Sequence, residues 1–203
     1  MSKTLSVGVL ALVVIASVFG LLVARTKHEE MQTLLVQLRS DDINQRENAA
    51  KALLARKQDV LKNPGAIIQI ENIVREFADN EQRRGTAKTA IGLLGDLQSS
   101  GSIPLLVDHL TLRVFYKETK RIQPKEDLFP SVGALIKIGQ PSVDPVLSRA
   151  EGTDDEQIGQ CAAYVVTRVL KDDAAPFVQD RIAHQTDPRG RQRLLVVQKY
   201  IAN

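Results

Sequence analysis

An all-α fold, in which one membrane-spanning helix precedes a stack of antiparallel helix pairs, is what the sequence predicts, on three observations. A stretch of 20 residues near the amino terminus carries no charge. Beyond it the apolar residues keep helical spacing, with no sustained strand-like alternation. Capping sequences and proline-led helix starts recur along the rest of the chain.

The apolar stretch, Leu5 to Ala24, reads LSVGVLALVVIASVFGLLVA and lacks Pro, Asn and Gln as well as charge. At a rise of about 1.5 Å per residue it spans roughly 30 Å, a hydrocarbon core's thickness. A helix apolar on every side needs lipid or a large core around it. The expected organisation is therefore a transmembrane anchor over residues 1–27 and a helical domain over 28–203. The alternative is a cleaved signal, cut after Ala16 or Gly20, although more apolar sequence follows each point. A very short basic start before a long apolar run favours an exoplasmic or periplasmic domain. Arg25, Lys27 and Arg39 after the span argue for the cytoplasmic side. Ala16, Gly20 and Ala24 form a small-xxx-small face, a possible homodimer contact, although small residues are common in such segments.

After the anchor, apolar stripes follow one another. They are Met31, Leu34, Leu35 and Leu38; Ile67, Ile70, Val74 and Phe77; Ile103, Leu106, Val107 and Leu110; and Ile158, Ala162, Val165 and Val169. Between them lie Ser40-Asp41-Asp42, Asp79-Asn80-Glu81, Thr153-Asp154-Asp155 and Thr186-Asp187-Pro188, whose side chains suit the free N–H groups and positive dipole end of a following helix. Arg46-Glu-Asn-Ala49-Ala50-Lys-Ala52-Leu53 aligns with Arg84-Gly-Thr-Ala87-Lys-Thr-Ala90-Ile91 at an offset of 38 residues. Ala162 and Ala163 occupy the matching places in a later copy. The partner helices open on Pro104, Pro145 and Pro176, each followed by apolar residues; proline is tolerated in a first turn because its missing N–H has no partner to lose. Self-similarity at this period predicts a solenoid.

The runs Ala90-Ile-Gly-Leu-Leu-Gly-Asp-Leu-Gln-Ser-Ser-Gly-Ser-Ile-Pro-Leu-Leu and Gly133-Ala-Leu-Ile-Lys-Ile-Gly-Gln-Pro-Ser-Val-Asp-Pro-Val-Leu resemble HEAT-like repeats of the phycobilin-lyase type. The resemblance covers most of residues 28–203 and is strongest in the middle. It implies an α-α superhelix of about five helix pairs, near 28–57, 65–97, 101–139, 140–171 and 172–202, with a right-handed stack. It also implies a module for protein–protein contact. The alternative it carries is a lyase-like or chromophore-attachment factor built on the same repeats.

Composition narrows the function further. The formal charge is +3, and beyond Lys3 the balance is 26 basic against 24 acidic residues, far from the one-sided field of a dedicated nucleic-acid binder. Trp is absent, so aromatic stacking of bases finds little support either. The single cysteine, Cys161, permits no internal disulfide or multi-cysteine metal site, and its alanine neighbours predict a buried thiol. His28, His109 and His184 fall in different helices without a partner at ligand spacing; Asp108 beside His109 points about 100° away. No Walker loop, dinucleotide fingerprint or serine elbow occurs. We therefore expect no catalytic, metal or cofactor residues.

One stretch departs from the repeat. Pro104 and Pro145 are 41 residues apart and Pro145 and Pro176 are 31 apart, so the third pair carries an insertion. It holds Arg113, Phe115, Tyr116, Lys117, Lys120 and Arg121, an aromatic pair among cations, as a surface for an acidic partner or lipid headgroup would. Insertions in solenoids fall on one face, often the binding face. The competing expectation is a longer first helix ending in a solvated turn. Arg83, Arg84, Arg189 and Arg191 at the pair junctions are the next contact candidates. The expected function is thus a membrane-tethered scaffold for a protein partner, or an accessory subunit of a membrane complex.

Overall fold

A computed structural model describes residues 25–113 and 124–201. These residues are all-helical, with no strand among them. Residues 1–24, which include the expected anchor and the Ala16, Gly20, Ala24 face, lie outside the described residues. Among those described, no helix is long and apolar enough to cross a membrane.

Helix α1 covers 25–38 and turns Met31, Leu35 and Leu38 inward, while Leu34 is half-buried. Asp42 then caps α2 (Ile43–Ala55) by accepting from the N–H groups of Asn44 and Gln45. A short helix, α3 (Lys57–Leu61), was not foreseen in the sequence; it buries Val60 and delivers the chain to Asn63, which caps α4 (Pro64–Phe77). Helix α5 (Arg84–Leu97) starts differently from expectation. Asn80 accepts from the N–H groups of Gln82 and Arg83 and so closes the turn before the helix, and no side chain caps the helix itself.

Three later pairs complete the fold: α6 (Ile103–Asp108) with α7 (Pro130–Ile138), α8 (Val143–Glu151) with α9 (Glu156–Leu170), and α10 (Ala174–His184) with α11 (Pro188–Ile201). A single 3₁₀ turn leads into α6, α8 and α10. Asp155 and Asp187 accept from backbone N–H groups at the starts of α9 and α11, as the capping sequences predict. Gly139 ends α7 at φ 84°, a conformation costly for any residue with a Cβ. Gln98 reaches the left-handed region without being glycine. Its side chain is tied on both sides, accepting from Lys57 Nζ and donating to the Lys137 carbonyl, which holds the conformation in place.

The packing is local along the chain. Helices with extensive contact belong to the same pair or to adjacent ones: α2 on α5, α5 on α7, α7 on α9, and α9 on α11. The polar ties obey the same rule. They range from Arg56 to Glu30, 26 residues apart, up to Tyr200 to Glu156, 44 apart. Arg83 lies 3.8 Å from the Phe77 ring centre, pairs with Asp41 at 2.7 Å and donates to the Arg39 carbonyl. Arg193 bonds both Asp154 and the Glu151 carbonyl, and Arg181 bridges Glu151, Asp144 and Ser148. One continuous apolar core runs through the described helices, with Leu53, Ile70, Leu94, Leu106, Leu135, Leu147, Val165 and Leu194 fully buried along it. Each such side chain contributes roughly 1.5–3 kcal/mol relative to exposure.

Helices α5 and α7 approach each other closely at Gly95. A Cβ built on Gly95 would lie 2.6 Å from Ala134 Cα, so only glycine permits this spacing.

Candidate functional site

Helix α6 ends at Asp108, and the chain turns through His109 and Leu110, so the longer-first-helix expectation fails among the described residues. Leu110, two residues beyond the helix, is 1% exposed and returns the chain to the core. Phe115, Tyr116, Lys117, Lys120 and Arg121 lie outside the described residues. Arg113 lies within them and is half-buried. It donates to Gln157 Oε1 at 2.9 Å, and its guanidinium sits 5.3 Å from the centre of the Phe129 ring. Both shoulders of the insertion are thereby held by the core, Leu110 and Arg113 on one side and buried Pro124 and Phe129 on the other.

Arg83 and Arg84 are engaged inside the fold rather than presented to a partner. Arg84 is 6% exposed and donates to the Ala78 carbonyl, satisfying the end of α4. Arg189 and Arg191 are exposed, Arg191 donating to the Gln185 carbonyl.

Cys161 is fully buried in α9, where loss of solvation pushes its thiol up to about 12, against a partial offset from the Gln157 amide. A thiol held protonated is a poor nucleophile. The sequence reading overlooked Asp180, one turn before His184; the two side chains approach to 3.4 Å. They are 75% and 77% exposed, with no wall around them to form a site. Among the described residues no group of three His, Cys, Asp or Glu side chains is gathered to hold a metal ion.

What the structure adds is a groove. The second helix of each pair, α2, α5, α7, α9 and α11, packs on the next to form one layer. The second helices carry ten basic and three acidic residues. The first helices, including α3, carry six basic and nine acidic. Between α2 and α5 this basic layer opens into a hollow of about 480 Å³. Its walls are mostly apolar (Ile43, Ala50, Leu54, Leu93), with Arg46, Lys51 and Lys88 alongside. Glu47 and Asp96 also line it. Asp96 accepts from Lys137 Nζ at 2.6 Å, so its charge is already matched. Lys88 and Gly92 also border a second hollow, of about 260 Å³, between α5 and α7.

A signal for this groove was present in the sequence. Gly85, Lys88, Gly92 and Asp96 follow helical spacing along one face of α5, and two glycines on a face leave room beside it. Neither a family model, nor a curated protein, nor a solved structure matches the chain.

Proposed function

We propose that the chain is a membrane-tethered scaffold: residues 5–24 anchor it, and a right-handed α-α superhelix of HEAT-like pairs over 28–203 holds a protein partner at the bilayer. The observation that carries this reading is the neighbour-only packing of the helix pairs. Stacked pairs of this kind expose long continuous layers and bury no central cleft, an architecture suited to extended contact with another protein. The charge-free segment at the amino terminus supports the tether, and its export-signal character supports an exoplasmic or periplasmic domain. The partner is a protein rather than a nucleic acid, and the module is not an enzyme. The insertion is one contact surface, through Phe115, Tyr116, Lys117, Lys120 and Arg121, with Arg113 fixing its start on α9.

The test compares recovery of partners by the parent and by a Tyr116→Ala, Arg121→Ala variant. Loss of an aromatic or arginine anchor costs an interface about 2 kcal/mol or more, roughly thirtyfold in affinity. Exposed substitutions change stability by about 0.5 kcal/mol or less. The variant should melt like the parent and lose its partner. Full recovery would remove the insertion from the interface.

A further inference from the structure

Helix α1 starts at Arg25, the residue that follows the apolar stretch Leu5 to Ala24. No linker in the sequence separates the helical domain from the segment read as its anchor. Met31, Leu35 and Leu38 are buried and fix α1 within the domain. Whatever lies level with the first turn of α1 is therefore carried to the bilayer surface.

The register of the helices says what that is. Helices α1 and α4 run parallel: Gln69 donates to Gln32, and Arg39 pairs with Glu76, both 37 residues apart. At the same offset Arg25 stands level with Lys62, in the turn before α4. The step from α2 into α3 lies at this end too, because Arg56 donates to the Lys27 carbonyl at 3.3 Å.

Charge at this end is mostly matched, with two exceptions. Glu29 pairs with Arg25, and Arg56 meets both Glu30 and Asp59. Lys57 donates to the Asp96 carbonyl and to Gln98. Lys27 and Lys62 are exposed and form no ion pair among the described residues. Leu61, beside Lys62, is 38% exposed. Two free ammonium groups and a part-exposed leucine suit a headgroup layer, where the cations meet phosphate or carboxylate and the leucine meets the apolar margin. The other end of α4 lies 14 residues away, about 21 Å, and its turn exposes Asp79 and Glu81.

We propose that the edge formed by the first turn of α1 and the turn between α3 and α4 rests on the bilayer, with Lys27 and Lys62 on anionic lipid headgroups and Leu61 at the margin of the hydrocarbon. This rests on the reading of residues 5–24 as a tether and adds an orientation to it. Helices α1 and α4 rise from the membrane, and the turn holding Asp79 and Glu81 faces away from it.

The chain contains no tryptophan, so a single introduced one reports its own surroundings. The test places the full chain in phosphatidylcholine vesicles whose acyl chains are brominated, a quencher confined to the hydrocarbon. Leu61→Trp should lose emission relative to ordinary lipid, and Lys62→Trp repeats the reading from a neighbouring exposed position. Glu81→Trp should lose none. Val36→Trp should also lose none, although Val36 is 69% exposed and would enter the bilayer if α1 lay flat on it. Adding phosphatidylserine should deepen the quenching of Leu61→Trp, and Lys27→Gln with Lys62→Gln should abolish that gain. Quenching at Val36 or Glu81 equal to that at Leu61 overturns the orientation. A phosphatidylserine effect that is absent, or that survives both lysine substitutions, overturns the headgroup contact. Flotation with alkaline-washed vesicles reports the tether separately. A chain that floats without quenching at Leu61 or Lys62 overturns this contact alone, and a chain that does not float overturns the tether and the contact together.

Discussion

Replacing Gly95 by alanine adds one methyl group where α5 meets α7, and the structure sets its effect. The new Cβ would sit 2.6 Å from Ala134 Cα, 2.9 Å from its Cβ and 3.2 Å from its carbonyl oxygen. Carbon atoms in favourable contact lie about 3.5–4.0 Å apart, so the helices must separate by roughly 1 Å. The obstacle is backbone, which no rotamer change relieves. Overpacking of this kind costs about 1–3 kcal/mol, and the rigid neighbour puts this site toward the upper part. Alanine's better helix propensity returns about 1 kcal/mol. The net is a loss of about 1–2 kcal/mol at one of the extensive helix–helix contacts among the described residues. Gly92, three residues earlier on the same helix, is the internal control, because an added Cβ there meets nothing within 4 Å. Gly92→Ala should therefore gain about 0.5–1 kcal/mol. Thermal melting of the full chain in mild detergent, followed by circular dichroism, separates the two. For a chain of this size each kcal/mol moves the Tm by about 2–4 °C, so the variants should shift in opposite directions. A Gly95→Ala protein as stable as Gly92→Ala would refute the close approach of α5 and α7.

Three further outcomes follow from the same geometry. Leu106→Ala empties a fully buried site and should cost about 2–5 kcal/mol, read as a lower melting point or denaturant midpoint. Cys161 should resist thiol-specific alkylation in the folded chain at neutral pH and react fully in denaturant, since burial keeps it protonated. The hydrogen bond from Arg193 holds the Asp154 carboxyl below its ordinary range. A depressed folded-state pKa contributes stability above the unfolded value of about 3.9 and loses it as pH falls through the folded value. Asp154→Asn should therefore flatten the acid limb of a melting-temperature profile taken from neutral pH to below pH 3, and an unchanged limb would show the pair adds nothing.

The helices were legible because burial imposes a period of 3.6 on whatever sequence fills them. Met31, Leu35 and Leu38, or Ile70, Val74 and Phe77, are inward on that spacing alone. Asp42, Asp155 and Asp187 were readable as starts because only a few side chains satisfy the first free N–H groups. Less accessible were features decided by neighbours distant in sequence. The role of Gly95 depends on Ala134, and the left-handed turn at Gln98 depends on Lys57 and Lys137. Arg83 and Arg84 read as surface cations, yet Phe77, Asp41 and the Ala78 carbonyl absorb them. Of the insertion's six candidate contact residues, Arg113 alone falls among the described residues, and nothing in its spacing marked it for Gln157 and Phe129. The groove escaped because no single helix contains it; the glycines of α5 acquire meaning only beside Ala50 and Leu54 of α2.

The central claim, a scaffold that holds a protein at a membrane, meets its most direct test in native mass spectrometry of the full chain. Membranes from the native source are washed at alkaline pH, which strips peripheral proteins, and are then solubilised in mild detergent. An apolar span is not an electrostatic contact, so the chain should stay with the washed membrane through residues 5–24. The released species should have the mass of the intact chain plus a stoichiometric protein partner. Release into the alkaline wash, a mature chain beginning near Ser17 or Leu21, or an intact chain recovered alone would contradict the account.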